Sequence, residues 1–331
     1  CNREARIAFV WILVLLTPPL GCSTEANLPS NTTLEQVERS APVWGDAIAR
    51  SRAAMEEMIA AGRTPGAAAA VAVDGELVWS DGFGYADVER EIEANRTTRF
   101  GIGSISKTLT MAAVMTAVDE GLLDLDTPIE NYLSDWPHAG QGITVRSIAV
   151  HQSGLSDQFA VTHYESTAHF PTVDSAYQEI KNEKIEYQPG TRTVYATGLY
   201  TIIGRVIEAV TGQPYLEAME QRVFEPSGMI GVVPNDPTRE DLEHTQFYVE
   251  GDEEGTFTPG PPFDSSHKLA GAGFLARAED LVRFGSAVLE AKIVSEQARD
   301  QMFRAVPLAN SEATPFALGF RVSGFEGEPL I

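Results

Sequence analysis

The stretch Arg99-Phe100-Gly101-Ile102-Gly103-Ser104-Ile105-Ser106-Lys107-Thr108 sets a lysine three residues after a serine, where a glycine-punctuated segment gives way to an apolar run. The pattern predicts a helix over 104–120, with Gly121 as its stop. Residues three apart on a helix share a face, their Cβ atoms about 5 to 6 Å apart, so the Ser104 hydroxyl and the Lys107 amine are within reach for proton transfer. A serine hydroxyl is a weak nucleophile until a base takes its proton. A lysine is that base only where burial or neighbouring charge lowers its pKa. The N–H groups at a helix start would also favour a developing alkoxide. The tetrad alone is weak evidence, because an N-capping serine beside a solvated lysine has the same spelling. A second copy, Ser265-Ser266-His267-Lys268, lies between the proline-rich 259–262 and a glycine-rich segment, where a loop is expected.

Upstream, apolar residues recur at three- and four-residue spacing over 44–61, predicting a helix that ends near Gly62 and Pro65. Two strands, 67–73 and 77–83, flank Asp74-Gly75, a hairpin signal because both turn residues tolerate positive φ. Downstream, a mostly helical stretch runs to about 216 and includes helical spacing over 200–210, stopped by Thr211-Gly212. Residues 251–262, rich in Gly, Pro and Thr, read as a surface loop; 278–291 reads as the last helix and 316–322 as a strand.

The flanking motifs give the tetrad its meaning. The chain resembles the beta-lactamase-related serine hydrolase family, which takes in penicillin-binding proteins, class C beta-lactamases and related esterases. The resemblance rests on Val78-Trp79, Gly82-Phe83-Gly84-Tyr85-Ala86-Asp87, the 99–108 stretch, Glu120-Gly121-Leu122-Leu123-Asp124-Leu125-Asp126, His151-Gln152-Ser153-Gly154-Leu155 and Pro189-Gly190-Thr191. Phe247-Tyr248-Val249 and Ala270-Gly271-Ala272-Gly273-Phe274-Leu275 are similar to the subgroup of mitochondrial serine beta-lactamase-like proteins and their bacterial relatives.

That resemblance implies an α+β, beta-lactamase/transpeptidase-like fold: an antiparallel sheet flanked by helices, with an inserted, mainly helical subdomain and the site at their junction. It implies acyl-enzyme chemistry on an ester, peptide or beta-lactam, with Ser104 as nucleophile and Lys107 as base. The family's Y-x-N motif maps onto Tyr195-Ala196-Thr197, so Tyr195 is a candidate base or proton relay and Thr197 a candidate substrate contact that lacks the carboxamide. A third motif, K-T-G or H-x-G on a strand, is expected beyond 316–322 and is not found, so the domain is expected to continue past Ile331. With that motif missing and Thr197 in place of an amide, a catalytically silent scaffold or binding protein stands as the alternative. His151, in the H-x-S-G-L turn, reads as structural. No G-x-S-x-G occurs, which argues against an alpha/beta-hydrolase nucleophile elbow.

Composition narrows the classes further. The 331 residues are 43% hydrophobic and 21% charged, as in a globular chain of one large domain or two intimately packed subdomains. Acidic side chains outnumber basic ones 47 to 24, for a net charge of -23; phosphate-backbone binding needs clustered Lys and Arg, so nucleic acid is not an expected partner. Cys1 and Cys22 are the only cysteines, and the histidines include no H-E-x-x-H, with His163 and His169 off the spacing of one helical face. No metal and no cofactor is expected.

Arg3 and Arg6, an apolar run over 7–16 and Pro18-Pro19-Leu20-Gly21-Cys22 read as a signal peptide over 1–22. Gly21-Cys22 resembles the end of a bacterial lipobox, which would make Cys22 a lipid acceptor, although Pro19 stands where Leu is preferred. In a bacterial host the expected address is periplasmic or that of a membrane-anchored lipoprotein. The polar 23–43 reads as a linker and 44–331 as the catalytic domain.

Overall fold

A computed structural model describes residues 12–17, 34–163, 166–236, 244–325 and 328–330. Its organising feature is the hairpin of β2 (Gly66–Val73) and β3 (Glu76–Asp87), paired antiparallel from Gly66↔Gly84 to Val73↔Glu76. Asp74 and Gly75 take φ of 51° and 77°, the left-handed geometry that lets a two-residue turn match the twist of its strands. The alanines of β2 serve both faces of the sheet. Ala67 and Ala69 pack with Met55, Trp79 and Phe83 under helix α1 (Leu34–Ala60), while Ala68, Ala70 and Ala72 pack with Ala278 and Val282 of the helix Ala278–Leu289. Small side chains bring helices close on either side, so this strand reads as a continuous apolar run rather than an alternation.

The outer edges of the hairpin are β1 (Ile12–Thr17), parallel to β2, and β4 (Ile92–Glu93), antiparallel to β3. β1 lies inside the stretch read as a leader and pairs along the β2 edge, whose N–H and C=O groups are a ready template for such an apolar segment. Arg3, Arg6 and Cys22 lie outside the described residues. α1 begins at Leu34, so its first turns occupy part of the segment read as a linker. Among the described residues no helix is long and apolar enough to cross a membrane.

The helical part is built around α2 (Ser106–Asp119), in which Leu109, Met111, Ala112, Ala113, Val114 and Met115 are fully buried. A helix apolar on all sides belongs in the centre of a core. The helix Tyr200–Thr211 packs on it and is closed by Gly212 at φ 70°; Val145–Ala149 and Val173–Ile180, which open with capping boxes at Thr144 and Thr172, pack in turn on Tyr200–Thr211. A three-stranded sheet of Phe100–Gly101, Phe274–Ala276 and Val233–Pro234 joins the two parts, with Phe100↔Ala276 in register and Ile102 N–H donating to the Phe274 carbonyl at 3.0 Å. The expected α+β architecture is the one observed.

Four local readings are corrected. Residues 251–262 are not all loop: Phe257–Pro259 pairs antiparallel with Tyr248–Glu250, and the Gly-rich, acidic run between them is the turn, closed by Gly251 N–H to the Thr256 carbonyl at 2.8 Å. Residues 316–322 do not form a strand. They double back through a Phe316↔Arg321 bridge with Gly319 at φ 81°, because Ala317 and Leu318 are drawn into the core beside α2. The last helix of that region is Glu296–Met302, beyond the one predicted; Ser295 caps it by accepting from Ala298 N–H at 3.1 Å. The second tetrad is helical rather than loop: Ser266–Lys268 forms a 3-10 turn leading into the short helix Leu269–Ala272.

Candidate active site

Ser104 stands in a 3-10 turn, Gly103–Ile105, that Gly103 enters at φ 48° and that runs straight into α2. Neither helix start takes a side-chain cap, so Ser104 is not spent as an N-cap. Its Oγ instead accepts from Lys107 Nζ at 3.2 Å and from the Tyr195 hydroxyl at 2.6 Å. The start of α2 is fastened from behind. Ser106 Oγ accepts from Phe274 N–H at 3.3 Å, and Thr110 Oγ1 donates to the Ala270 carbonyl at 2.7 Å.

Lys107 is 3% exposed. Besides Ser104, its amine donates to Thr197 Oγ1 at 3.2 Å and to the Gly271 carbonyl at 2.9 Å, and it lies 4.8 Å and 5.2 Å from the ring centres of Tyr195 and Tyr200. Burial pulls its pKa from 10.5 to about 7; the Asp157 carboxylate opposes the shift and the Lys268 cation adds to it. Lys107 can therefore give up its proton near neutral pH, with its nitrogen within hydrogen-bond reach of the Ser104 hydroxyl.

Tyr195 and Thr197 come from one short segment held by Asp157. The Asp157 carboxylate accepts Thr197 N–H at 2.7 Å and Gly198 N–H at 3.0 Å; burial raises its pKa, and the two N–H bonds act against that rise. Gly271 lets this segment in, since a Cβ there would lie 2.3 Å from the Thr197 carbonyl oxygen. His151 sits beneath, with φ 62°, its ring 4.3 Å from that of Tyr195 and its Nδ1 accepting from Ala196 N–H at 3.3 Å. Burial, reinforced by Lys107, pushes His151 down to about 3, so it is a neutral prop for Tyr195. Beside Ser104 opens a cavity of about 1090 Å³ with apolar walls that include Ile105, Val161, Phe247, Phe263 and Leu275.

The Beta-lactamase family model matches residues 51–329. The chain belongs to the beta-lactamase family. It is 27% identical over 299 residues to the mitochondrial serine beta-lactamase-like protein LACTB of Homo sapiens, covering 68% of this chain and 53% of that protein. It is 28% identical over 261 residues to the putative penicillin-binding protein PbpX of Bacillus subtilis, covering 76% and 60%. The octameric penicillin-binding protein homologue from Pyrococcus abyssi matches with a TM-score of 0.70 at 26% identity, over 85% of this chain and 66% of that one. The chain thus spans between 53% and 60% of the length of these two curated relatives. Members of the family are serine hydrolases.

In this beta-lactamase-family chain all four residues singled out from sequence, Ser104, Lys107, Tyr195 and Thr197, meet at one point. Three contributors escaped the sequence reading. Asp157 stands just past Gly154-Leu155, close enough to the H-x-S-G-L motif to have been suspected, but its partners are 40 and 41 residues away. Gly271 acts through its carbonyl and its missing Cβ, which composition does not reveal. Lys268 belongs to the second tetrad, where a loop is expected from sequence, yet it is 5% exposed and lines the same cavity as Ser104.

Proposed function

We propose that the chain is a serine hydrolase that cleaves esters or peptides through an acyl-enzyme. The observation that carries this is the pair of contacts to Ser104 Oγ, one from a buried amine whose pKa is lowered to about 7 and one from the Tyr195 hydroxyl. Ser104 Oγ attacks the carbonyl carbon as its proton passes to Lys107 Nζ. Collapse of the tetrahedral adduct expels the alcohol or amine, which takes that proton back through Tyr195. Water then attacks the acyl-enzyme, giving one proton to the Lys107 and Tyr195 pair, and Ser104 leaves reprotonated with release of the acid. In this turn the Ile105 and Ser106 N–H groups are already bonded to backbone carbonyls, which leaves the Ser104 N–H as the donor it offers toward the oxyanion.

Ester or peptide substrates are favoured over beta-lactams because Thr197 has no carboxamide and its hydroxyl is engaged with Lys107. Leader cleavage and lipidation at Cys22, with a periplasmic or membrane-anchored address, belong to the same proposal. Intact mass of the mature N-terminus in a bacterial host tests them, and an unprocessed 1–22 would refute them.

The deciding test is mass spectrometry after incubation with a fluorophosphonate and, separately, a penicillin. A stoichiometric adduct on Ser104, lost in Ser104→Ala and Lys107→Ala, is expected. A folded protein labelled nowhere would overturn the hydrolase reading in favour of a silent scaffold, and clearance of a cephalosporin much faster than short-chain esters or peptides would overturn the substrate preference.

A further inference from the structure

The cavity at Ser104 has a second polar corner that the acyl-transfer chemistry does not use. Ser265, 1% exposed, precedes the 3-10 turn Ser266–Lys268, and Lys268 N–H donates to the Ser265 carbonyl at 3.0 Å. Asn235 Nδ2 donates to Ser265 Oγ at 3.5 Å, and Lys268 Nζ lies 5.8 Å from the centre of the Phe263 ring. Asn235, Ser265 and Lys268 all line the cavity that holds Ser104, Tyr195 and Thr197.

The lining is far less acidic than the molecule. The chain carries 47 acidic residues, yet among the described residues that line this cavity Asp157 is the sole acid, and Lys268 stands against it. Both Asp157 oxygens already accept backbone N–H groups, from Thr197 and Gly198. A substrate ammonium entering here would meet an engaged carboxylate and the amine of Lys268. A carboxylate would meet a cation, an amide and a hydroxyl, the donor set that makes burial of an anion tolerable. Burial lowers both amines, Lys268 to about 8 against the pull of Asp157 and Lys107 to about 7.

We propose that Lys268, with Ser265 and Asn235, is an anion-recognising subsite, and that the substrate joins a carboxylate to an apolar group beside the scissile ester or peptide bond. The inference rests on the serine-hydrolase reading and deepens it. It assigns a binding role to the second S-x-x-K copy. Ile105, Val161, Phe247 and Leu275 receive the apolar part.

The test compares three p-nitrophenyl esters of equal chain length on the full chain: hexanoate, the mono-ester of adipate and 6-aminohexanoate. Wild type is expected to favour the adipate ester over hexanoate by about ten-fold or more in kcat/KM and to disfavour the aminohexanoate ester. In Lys268→Gln the adipate-to-hexanoate ratio is expected to fall to within about two-fold of unity, whereas Lys268→Arg retains a preference. Fluorophosphonate labelling of Ser104 reports whether each variant is folded; if Lys268→Gln is not, the same loss is read in part from Ser265→Ala and Asn235→Ala. A merely structural lysine would change all three esters alike and leave the ratio. Hexanoate turnover without preference for adipate, a preference for the aminohexanoate ester, or a ratio unchanged in folded Lys268→Gln overturns the subsite alone. A protein labelled at Ser104 that turns over none of the three also overturns it. No turnover and no Ser104 adduct removes the hydrolase reading, and the subsite with it.

Discussion

At the scale of single residues, Lys107 has the most to reveal. If it is the base, kcat/KM for a neutral ester rises with pH through about 7 as the amine loses its proton, and the midpoint follows Lys107 rather than His151, which stays neutral down to about 3. Lys107→Arg, which keeps the charge but cannot deprotonate, is expected to lower kcat/KM by roughly 10² to 10⁴. The same group shapes stability. Its folded pKa of about 7 lies below the value of 10.5 it has when exposed, so between these two the unfolded chain binds more protons. Stability should therefore rise with pH across that window, and the full cost of the buried cation is felt below it. Urea midpoints between pH 7 and 10 check this, with a shallower rise in Lys107→Met. Lys268, at about 8, continues the trend in that variant over the upper part of the window.

At the scale of elements, close backbone approach decides where the catalytic side chains stand. Gly271 and the Tyr195-to-Gly198 segment are two elements in contact with no room for a methyl group, since a Cβ would sit 2.3 Å from backbone oxygen. Gly271→Ala must push the Thr197 hydroxyl off Lys107. A displacement of about 1 Å at a reacting group costs on the order of 10² in rate, so a loss of that size in ester kcat/KM is expected. Gly212 supplies the contrast. It closes the helix Tyr200–Thr211 at φ 70°, with nothing within 4 Å of its would-be Cβ. Gly212→Ala is expected to cost about 1 to 2 kcal/mol of stability by thermal denaturation while leaving the ester kinetics as they are.

At the scale of the whole molecule, a net charge of -23 surrounds a cavity almost without acids. Long-range repulsion slows an anionic substrate and is screened over about 8 to 10 Å at physiological ionic strength, whereas contacts inside the cavity are screened far less. The kcat/KM of the adipate ester should therefore rise when salt is raised from about 10 mM to 150 mM, while that of the hexanoate ester stays flat. A fall for the adipate ester would place its recognition on the solvent-exposed surface instead.

Features that depend on neighbours along the chain could be read from the sequence. Asp74-Gly75 announced its turn because few residue types sit comfortably at positive φ, and Gly121 and Gly212 marked helix ends for the same reason. The apolar run through α2 announced a buried helix, and the motifs from Arg99 to Thr108 and around His151 pointed to the architecture. Reading failed where packing overrides local preference: a β-rich 316–322 that folds back on itself, and a Gly- and Pro-rich 251–262 that is half a hairpin. The site divides in the same way. Ser104 and Lys107 are three apart, and one turn of helix brings them together whatever else the chain does. The partners that complete Lys107 lie 90 and 164 residues away, at Thr197 and Gly271, and the two that hold the Thr197 segment start from Asp157. Whether Lys107 is a base or an ordinary cation depends on its removal from water, and whether Lys268 is a solvated loop lysine or the charge in a cavity depends on the same thing. Desolvation is a property of everything that packs around a group, so the tertiary structure alone decided it.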